Sequence, residues 1–164
     1  MNAKIMIIWL IMVIMFLNYA IYEKERIRGS SDSVFLSIDT VIYRSFIGDD
    51  YALLKYDIEK TIPDKDIVSS PDRGYIVIGV DDNKVAHFVR VYAGETLSLN
   101  ERLIRFHKNK RSINIVPNSF FIQERSIENY KKSKYAIFNF GKSGEYVLAK
   151  LADKDKKYIK LSTI

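Results

Sequence analysis

The sequence contains no cysteine, and this absence excludes several kinds of chemistry at once. Without thiols there is no disulfide bond, no thiolate metal ligand and no cysteine nucleophile. Histidine is scarce as well, since His87 and His107 are the only two, each in a predicted strand among apolar and basic residues. No carboxylate stands at ligand spacing beside either imidazole, so we do not expect a zinc site. A phosphate-cradling glycine loop is also missing, and nucleotide chemistry therefore has no support.

Two acidic pairs remain as candidates for binding a hard cation, Asp49-Asp50 and Asp81-Asp82. Neither has the alternating oxygen ligands of a calcium loop, so solvated turns are the favoured interpretation. We predict no bound metal and no cofactor.

What the sequence does contain is typical of a folded, strand-rich domain. Hydrophobic residues make up 48% and charged residues 28% of the chain, which argues against disorder. Eleven tyrosines and nine phenylalanines, with many isoleucines and valines, favour strands because such side chains fit a pleated, half-buried surface. The composition predicts one β-rich domain.

Residues 5–22 form a long apolar run in which Asn18 is the only strongly polar residue. As a helix this run would span roughly 27 Å, close to the ~30 Å hydrocarbon core of a bilayer. Tyr19 and Tyr22 stand where an interfacial aromatic belt is expected, and the charged residues 23–28 follow at once. The pattern predicts a single transmembrane helix that anchors the rest of the chain in the lipid bilayer.

A cleaved signal peptide is the alternative, because Lys4 gives the apolar run a short positive start. The run is longer than a usual signal core and no pair of small residues closes it, so we favour an uncleaved anchor. Lys24, Arg26 and Arg28 after the helix would place the domain in the cytoplasm by the positive-inside rule, whereas short N-terminal tails often remain inside as signal-anchors. Charge alone leaves the orientation open, and we expect an extracytoplasmic domain on a single-pass membrane protein.

The net charge of the chain bears on its partners. At +6 it favours anionic surfaces, of which the lipid headgroups beside the anchor are the nearest. Nucleic acid is the competing anion, but the basic residues are interleaved with acids instead of being gathered on one element. We therefore expect no nucleic acid partner.

We predict three parts along the chain: an anchor and its flank over residues 1–28, a polar linker over 29–33 and a β-rich domain over 34–164. Nine runs in this domain have the length and composition of strands: residues 34–38, 51–58, 75–80, 85–92, 103–107, 113–116, 120–123, 135–140 and 145–152. The turn residues at 81–84 and 141–144 predict two antiparallel hairpins, because Asn, Asp and Gly tolerate positive φ.

The remaining segments complete a mainly β fold of the β-rich α+β kind, with an N-terminal transmembrane helix followed by an antiparallel β domain with one short helix. That helix is predicted over residues 126–134, with Ser126 as its N-cap. Two prolines and clustered Asp and Ser predict a surface loop over 61–74. The lysine-rich residues 150–161 predict a final edge strand, with membrane-surface contact as the alternative.

A distinctive local pattern is Arg44-Ser45 followed by Asp49-Asp50-Tyr51-Ala52-Leu53-Leu54-Lys55-Tyr56. It resembles the GDYXXLXY family of bacterial membrane-associated proteins, named for Gly-Asp-Tyr-x-x-Leu-x-Tyr. Asp50, Tyr51, Leu54 and Tyr56 match the named positions, while Asp49 stands where the family has glycine and Gly48 comes one residue early. This departure bears on the turn geometry, because Asp is poorer than Gly in left-handed conformations.

A second region is similar to the family's C-terminal pattern, beginning at Phe120-Phe121-Ile122-Gln123-Glu124 and continuing through a short helix to the last hairpin. The resemblance implies a short membrane-anchored protein, often encoded with multispanning membrane proteins, and no established reaction. It carries over seven motif residues as the candidate site: Arg44, Asp50, Tyr51, Leu54, Tyr56, Phe121 and Glu124.

Strand alternation divides these motif residues. Leu54 and Tyr56 would share the buried face of a strand, opposite Tyr51. For Asp50 we favour a structural role at strand entry, with a functional carboxylate near Arg44 or Glu124 as the alternative.

The strand-entry Gly-Asp in an anchored β-rich chain also resembles signal peptidase-like serine proteases. That resemblance implies a nucleophilic serine and a later lysine as general base, but Thr40 occupies the serine position, Tyr43 a proline position and Val89 the lysine position. Covalent catalysis lacks its activated nucleophile without those groups, so a hydrolase is the disfavoured alternative. We expect a non-enzymatic accessory or binding protein that supports a multispanning membrane protein partner.

Overall fold

The structure, a computed structural model, describes residues 3–44, 50–110, 112–122 and 127–159. Within these residues the order of elements is α1 (Ala3–Arg28), β1 (Ser33–Arg44), β2 (Asp50–Tyr56), a 3₁₀ helix (Asp57–Thr61), α2 (Asp64–Ser69), β3 (Arg73–Val80), β4 (Ala86–Val91), β5 (Glu101–Asn109), β6 (Ser112–Ile115), β7 (Ser119–Ile122), α3 (Ile127–Tyr130), β8 (Tyr135–Phe140) and β9 (Tyr146–Ala152). The β-rich fold class with an N-terminal apolar helix is confirmed.

The helix α1 is the single element in the described part that is long and apolar enough to cross a membrane. Its apolar side chains are exposed. The side-chain amide of Asn18 donates a hydrogen bond of 2.8 Å from Nδ2 to the carbonyl of Ile14, one turn earlier in the helix. Only near its end does the helix meet the rest of the chain, where Ile27 is 3% exposed.

The described strands form two antiparallel sheets. One has the order β7-β2-β1-β8-β9, and the other has the order β4-β3-β5-β6. A single parallel bridge between Phe35 and Val85 connects β1 to the start of the second sheet's hairpin. Both predicted hairpins are present, and Lys84 and Gly144 supply the positive φ values of 61° and 83° that their turns use.

The two sheets share one hydrophobic core, because alternate residues of their central strands turn inward. From the first sheet come Val34, Leu36, Ile38, Ala52, Leu54 and Tyr56, and from the second Ile76, Ile78, Ile104, Phe106, Ile113 and Ile115, all 2% exposed or less. This alternation fixes which side chains of each strand are left to face outward.

The predicted surface loop over residues 61–74 is partly wrong, because α2 occupies its centre. Pro63 sets the extended conformation before the first turn, Asp64 and Asp66 complement the positive end of the helix dipole, and Ile67 is buried. Six residues are too few to show the repeating apolar pattern by which a helix is predicted from sequence.

Among the other predicted elements, three differ from prediction in ways that matter for the fold. The strand expected over 34–38 continues as β1 to Arg44, and the one expected over 51–58 ends at Tyr56, where the 3₁₀ helix begins. The helix expected over 126–134 is the shorter α3, with Ser126 outside the described residues.

The lysine-rich end is not one continuous strand. Beyond β9 the Asp153 carboxylate accepts the backbone N–H groups of Asp155 and Lys157, both at 2.9 Å, and turns the chain. Tyr158 then forms an isolated bridge back to Ala152. This turn was not predicted, because a run of charged residues is equally typical of an edge strand.

Candidate functional site

The motif residues on β2 divide between two faces, as strand alternation predicts. Leu54 and Tyr56 are 2% and 0% exposed, which confirms that both belong to the core. Tyr51 lies on the opposite face and is 36% exposed. The register pairs it with Phe121 of β7, which is 81% exposed. Of these four residues, Tyr51 and Phe121 lie on the outward face of the sheet and the other two face the core.

The charged motif residues are described less fully. The β1–β2 register pairs Arg44 with Asp50, so the backbone brings these two positions together at one end of the sheet. Their side chains, and the whole of Glu124, lie outside what the structure describes. A functional carboxylate at Asp50 stays a prediction.

An exposed apolar patch covers the outer face of β1, β2 and β7, and we call it the outer patch. It consists of Val41, Tyr51 and Phe121, which are 38%, 36% and 81% exposed. In register, Val41 lies opposite Leu53, and Leu53 lies opposite Ser119. Aromatic and aliphatic side chains exposed together on a sheet face are typical of an interaction surface.

A cleft of about 380 Å³ lies between the end of α1 and the second sheet, and we call it the α1 cleft. It is lined by Lys24, Tyr75, Leu103, Arg105, Val116, Pro117, Ser143, Gly144, Glu145 and Tyr146. None of its residues belongs to the motif, and no local sequence pattern unites them. The one feature of the sequence that could have pointed to this cleft is Tyr146, an aromatic residue that follows a glycine turn.

Two tyrosine hydroxyls form hydrogen bonds with backbone groups of residues that line this cleft. The hydroxyl of Tyr146 accepts the backbone N–H of Arg105 at 2.9 Å and donates to the carbonyl of Val116 at 2.7 Å. Since Val116 N–H donates to the Arg105 carbonyl at 3.0 Å, this hydroxyl replaces the second hydrogen bond of a strand pair. Tyr56 donates its hydroxyl to the carbonyl of Pro117 at 2.5 Å.

Burial raises the pKa of the Tyr56 hydroxyl well above its ordinary value of 10.0, and the nearby charges of Glu59 and ionised Tyr146 act in the same direction. Burial also raises the pKa of Tyr146 and that of Glu59, whose carboxylate accepts the Ile115 N–H at 2.7 Å. Both hydroxyls are therefore neutral donors at physiological pH, which suits a structural role.

The walls of the α1 cleft carry two cations and one anion. Lys24 and Arg105 are both exposed and form no ion pair with any residue that the structure describes. The Arg105 guanidinium lies 5.8 Å from the centre of the Tyr75 ring, a cation–π distance. Glu145 accepts a long hydrogen bond of 3.3 Å from the Ser143 hydroxyl. The lining is thus net cationic.

Three contacts fasten the end of α1 and the residues just after it to the body, and we call them the anchor joint. Ile27 packs against Gly141, where an added Cβ would come within 3.1 Å of its side chain. Asn139 donates its side-chain N–H to the carbonyl of Arg28 at 2.6 Å. Arg102 contacts Asp32 at 3.0 Å. The segment predicted as a linker over residues 29–33 therefore follows packed residues and is itself held to the body at Asp32.

A second charged network orders the long connection between β4 and β5. Arg90 contacts Glu95 and Glu101, each at 2.6 Å. Hydrogen bonds from Arg90 lower the pKa of Glu101 from 4.5 to about 2 and keep it ionised. The single charge of Arg90 is shared between the two carboxylates inside this network, and we interpret it as a structural feature.

Both histidines are exposed on strands of the second sheet. The ring of His87 lies over Gly79, since an added Cβ there would meet its Nε2 at 2.5 Å. His107 is exposed on β5, opposite Arg73. Among the described residues no group of three or more His, Asp or Glu side chains is arranged to hold a metal ion.

The positions required by the hydrolase alternative do not form a catalytic arrangement within the described residues. Thr40 lies on β1 opposite Leu54, and its hydroxyl is buried without a hydrogen-bond partner there. Val89, at the position of the general base, is an apolar side chain that is 39% exposed on β4. A hydroxyl with no base beside it is not an activated nucleophile.

A family model described as GDYXXLXY protein matches residues 13–151, which is most of the chain. None of the curated proteins or solved structures that were compared matches it significantly. The matched range includes most of the apolar helix, the outer patch and the lining of the α1 cleft.

Proposed function

We propose, from the premise that this chain belongs to the GDYXXLXY family, that it is a single-pass membrane protein whose β-rich body binds and supports a membrane protein partner. The observation that carries the proposal is the contrast along α1. Its apolar residues up to Tyr22 are exposed, and five residues later Ile27 is buried against the body. A solvent-exposed apolar helix needs lipid or protein around it.

The anchor joint supports a body held close to the membrane. The packing of Ile27 and the hydrogen bond from Asn139 to the helix end leave little freedom between anchor and domain. A body fixed in this way presents a constant face to a neighbouring membrane protein. This pre-orientation reduces the entropy lost on binding.

The outer patch is the surface we assign to the partner. Phe121 and Tyr51 are paired across β7 and β2, and aromatic side chains are enriched in protein interfaces. Two of its three residues, Tyr51 and Phe121, are motif residues that lie outside the core, which is the expected position of binding residues.

Capture from the membrane tests this proposal. The full-length chain is extracted in mild detergent after crosslinking, and Phe121→Ser is compared with Val68→Ser, an exposed apolar residue on α2 that is 79% exposed. We expect a defined membrane protein with the wild type and with the Val68 variant, and at least a tenfold loss with the Phe121 variant. Recovery of the intact protein always alone, or equal capture by both variants, would refute it.

The side of the membrane is tested separately. Because the chain has no cysteine, a single Asp82→Cys substitution in the exposed β3–β4 turn provides a unique thiol. We expect a membrane-impermeant maleimide to label it in intact cells, as an extracytoplasmic domain requires. Labelling only after cell lysis would place the domain in the cytoplasm instead.

A further inference from the structure

The position of the α1 cleft along the helix axis is set by Lys24, which lines it. Lys24 follows Tyr22, the last residue of the apolar run, by two positions, which is roughly 3 Å of helix rise. The headgroup layer on each side of a bilayer is several ångströms thick, since the full bilayer exceeds its hydrocarbon core by about 10–15 Å. If α1 spans the membrane, the cleft opens at the level of the headgroups.

The chemistry of the lining suits a phosphate with an apolar group attached to it. Arg105 and Lys24 are exposed cations without an ion-pair partner among the described residues. A guanidinium can bind two phosphate oxygens at once, and an ammonium adds a second positive charge. Leu103 and Pro117 provide apolar surface beside them. A volume of about 380 Å³ is within the range of small-molecule sites.

We propose that the α1 cleft binds the phosphate group of a phospholipid headgroup, with Arg105 and Lys24 as its ligands. The lipid belongs to the leaflet from which α1 emerges, and its glycerol end lies against the apolar part of the lining. This inference rests on the proposed membrane anchoring, and it adds a lipid site to the protein-binding surface of the outer patch, none of whose residues lines the cleft.

The geometry explains why this arginine is available. Its backbone N–H is fixed by the Tyr146 hydroxyl at 2.9 Å, and its guanidinium lies over the Tyr75 ring. The side chain is therefore oriented by an aromatic surface instead of a carboxylate, which leaves its hydrogen-bond donors free to bind an anion. Glu145, which also lines the cleft, would favour headgroups that also carry an ammonium group.

Lipid retention by the full-length protein tests the proposal. The purified chain is washed in detergent, incorporated into nanodiscs of phosphatidylethanolamine and phosphatidylglycerol, extracted again, and its retained phospholipid is measured by native mass spectrometry. The test variant is Lys24→Gln with Arg105→Gln, and the matched control is Lys65→Gln with Lys154→Gln, two exposed lysines outside the cleft. We expect at least a tenfold loss of retained lipid in the test variant and less than a twofold change in the control.

Two results would overturn it. One is equal retention by the wild type and the cleft variant, with thermal unfolding curves that show both to be folded. The other is binding of soluble glycerol phosphate to the cleft while lipid in nanodiscs fails to bind, which would identify a water-soluble phosphate ester as the ligand. Flotation with vesicles separates the two proposals, because a protein that floats but shows no cleft-dependent lipid retention keeps its anchor and loses only the lipid site.

Discussion

Removal of the Tyr56 hydroxyl gives the sharpest test of how the core supports the α1 cleft. The ring is 0% exposed, and its hydroxyl donates to the Pro117 carbonyl at 2.5 Å. Tyr56→Phe keeps the ring and its contact with Phe138 but leaves that carbonyl without its donor. An unsatisfied buried polar group costs about 1–3 kcal/mol. For a protein of this size that corresponds to a fall in Tm of about 2–12 °C.

The matched control is Tyr158→Phe, because Tyr158 is 55% exposed and its hydroxyl has no hydrogen bond within the described residues. We expect the control to stay within about 0.5 kcal/mol of the wild type. Both variants are measured as full-length protein in detergent by circular dichroism during heating. A Tyr56→Phe protein that melts together with the Tyr158→Phe protein would show that the buried hydrogen bond has no net value, and the reasoning would be wrong.

The pH dependence adds an independent readout. Burial raises the pKa of Tyr56 above 10.0 in the folded state, whereas the unfolded chain ionises at its ordinary value. The neutral hydroxyl therefore contributes stability that is fully present below about pH 10 and is lost as the pH rises further. We expect the alkaline fall in Tm to be shallower in Tyr56→Phe than in the wild type. An unchanged alkaline slope would contradict the assignment.

A double-mutant cycle with Tyr146→Phe extends this prediction. The two hydroxyls bind the adjacent carbonyls of Val116 and Pro117. Once one bond is lost the segment can shift, so the second loss should cost less than it does alone. We expect a coupling of at least about 0.5 kcal/mol, the usual size for residues that share a network. Strict additivity would show that the two hydroxyls act on independent segments.

Four further outcomes are expected. Ile27→Ala should lower the free energy of unfolding by about 2–4 kcal/mol and speed proteolysis between α1 and β1, because it removes a buried contact. Ile21→Ala, which changes an exposed residue in the apolar run, should do neither. Arg90→Gln should speed proteolytic cleavage of residues 92–100. The difference from the wild type should disappear as the pH falls from about 4.5 towards 2. Over that range Glu101, whose folded pKa is about 2, loses the charge that Arg90 binds. Glu59→Gln should stabilise the fold at neutral pH but not below about pH 4 in urea titrations, because burial raises the pKa of that carboxyl and the cost of its charge is present only at higher pH. Thr40→Val should leave stability unchanged or raise it by about 1 kcal/mol, because it removes a buried hydroxyl that has no partner in the described part of the chain.

The fold was predictable to the extent that its strands carry a regular alternation. The hairpins around residues 81–84 and 141–144 were found because turn residues separate two apolar runs. The helix α2 was not found, because its six residues make fewer than two turns and its single buried residue, Ile67, leaves no repeating pattern. Local signals therefore located elements that alternate or turn, and missed those that depend on a tertiary contact.

The α1 cleft could not be predicted from the sequence, for a related reason. Its walls come from α1, β3, β5, the segment after β6 and the β8–β9 hairpin, and Lys24 is 121 positions from Glu145 by their residue numbers. No pairing rule connects those segments in advance. Tyr146 shows the difficulty, because its hydroxyl replaces a backbone hydrogen bond between Arg105 and Val116 that a regular strand pair would have made without it.

The family motif itself contains two kinds of position, and this decides which substitutions are informative about function. Leu54 and Tyr56 are buried, so a change at either would reduce partner capture simply by unfolding the domain. Tyr51 and Phe121 lie on the outer face of the same sheet, where Phe121 is 81% exposed and a change leaves the core intact. Loss of partner capture at Phe121 with unchanged Tm therefore assigns the motif a binding role, whereas loss at Tyr56 does not.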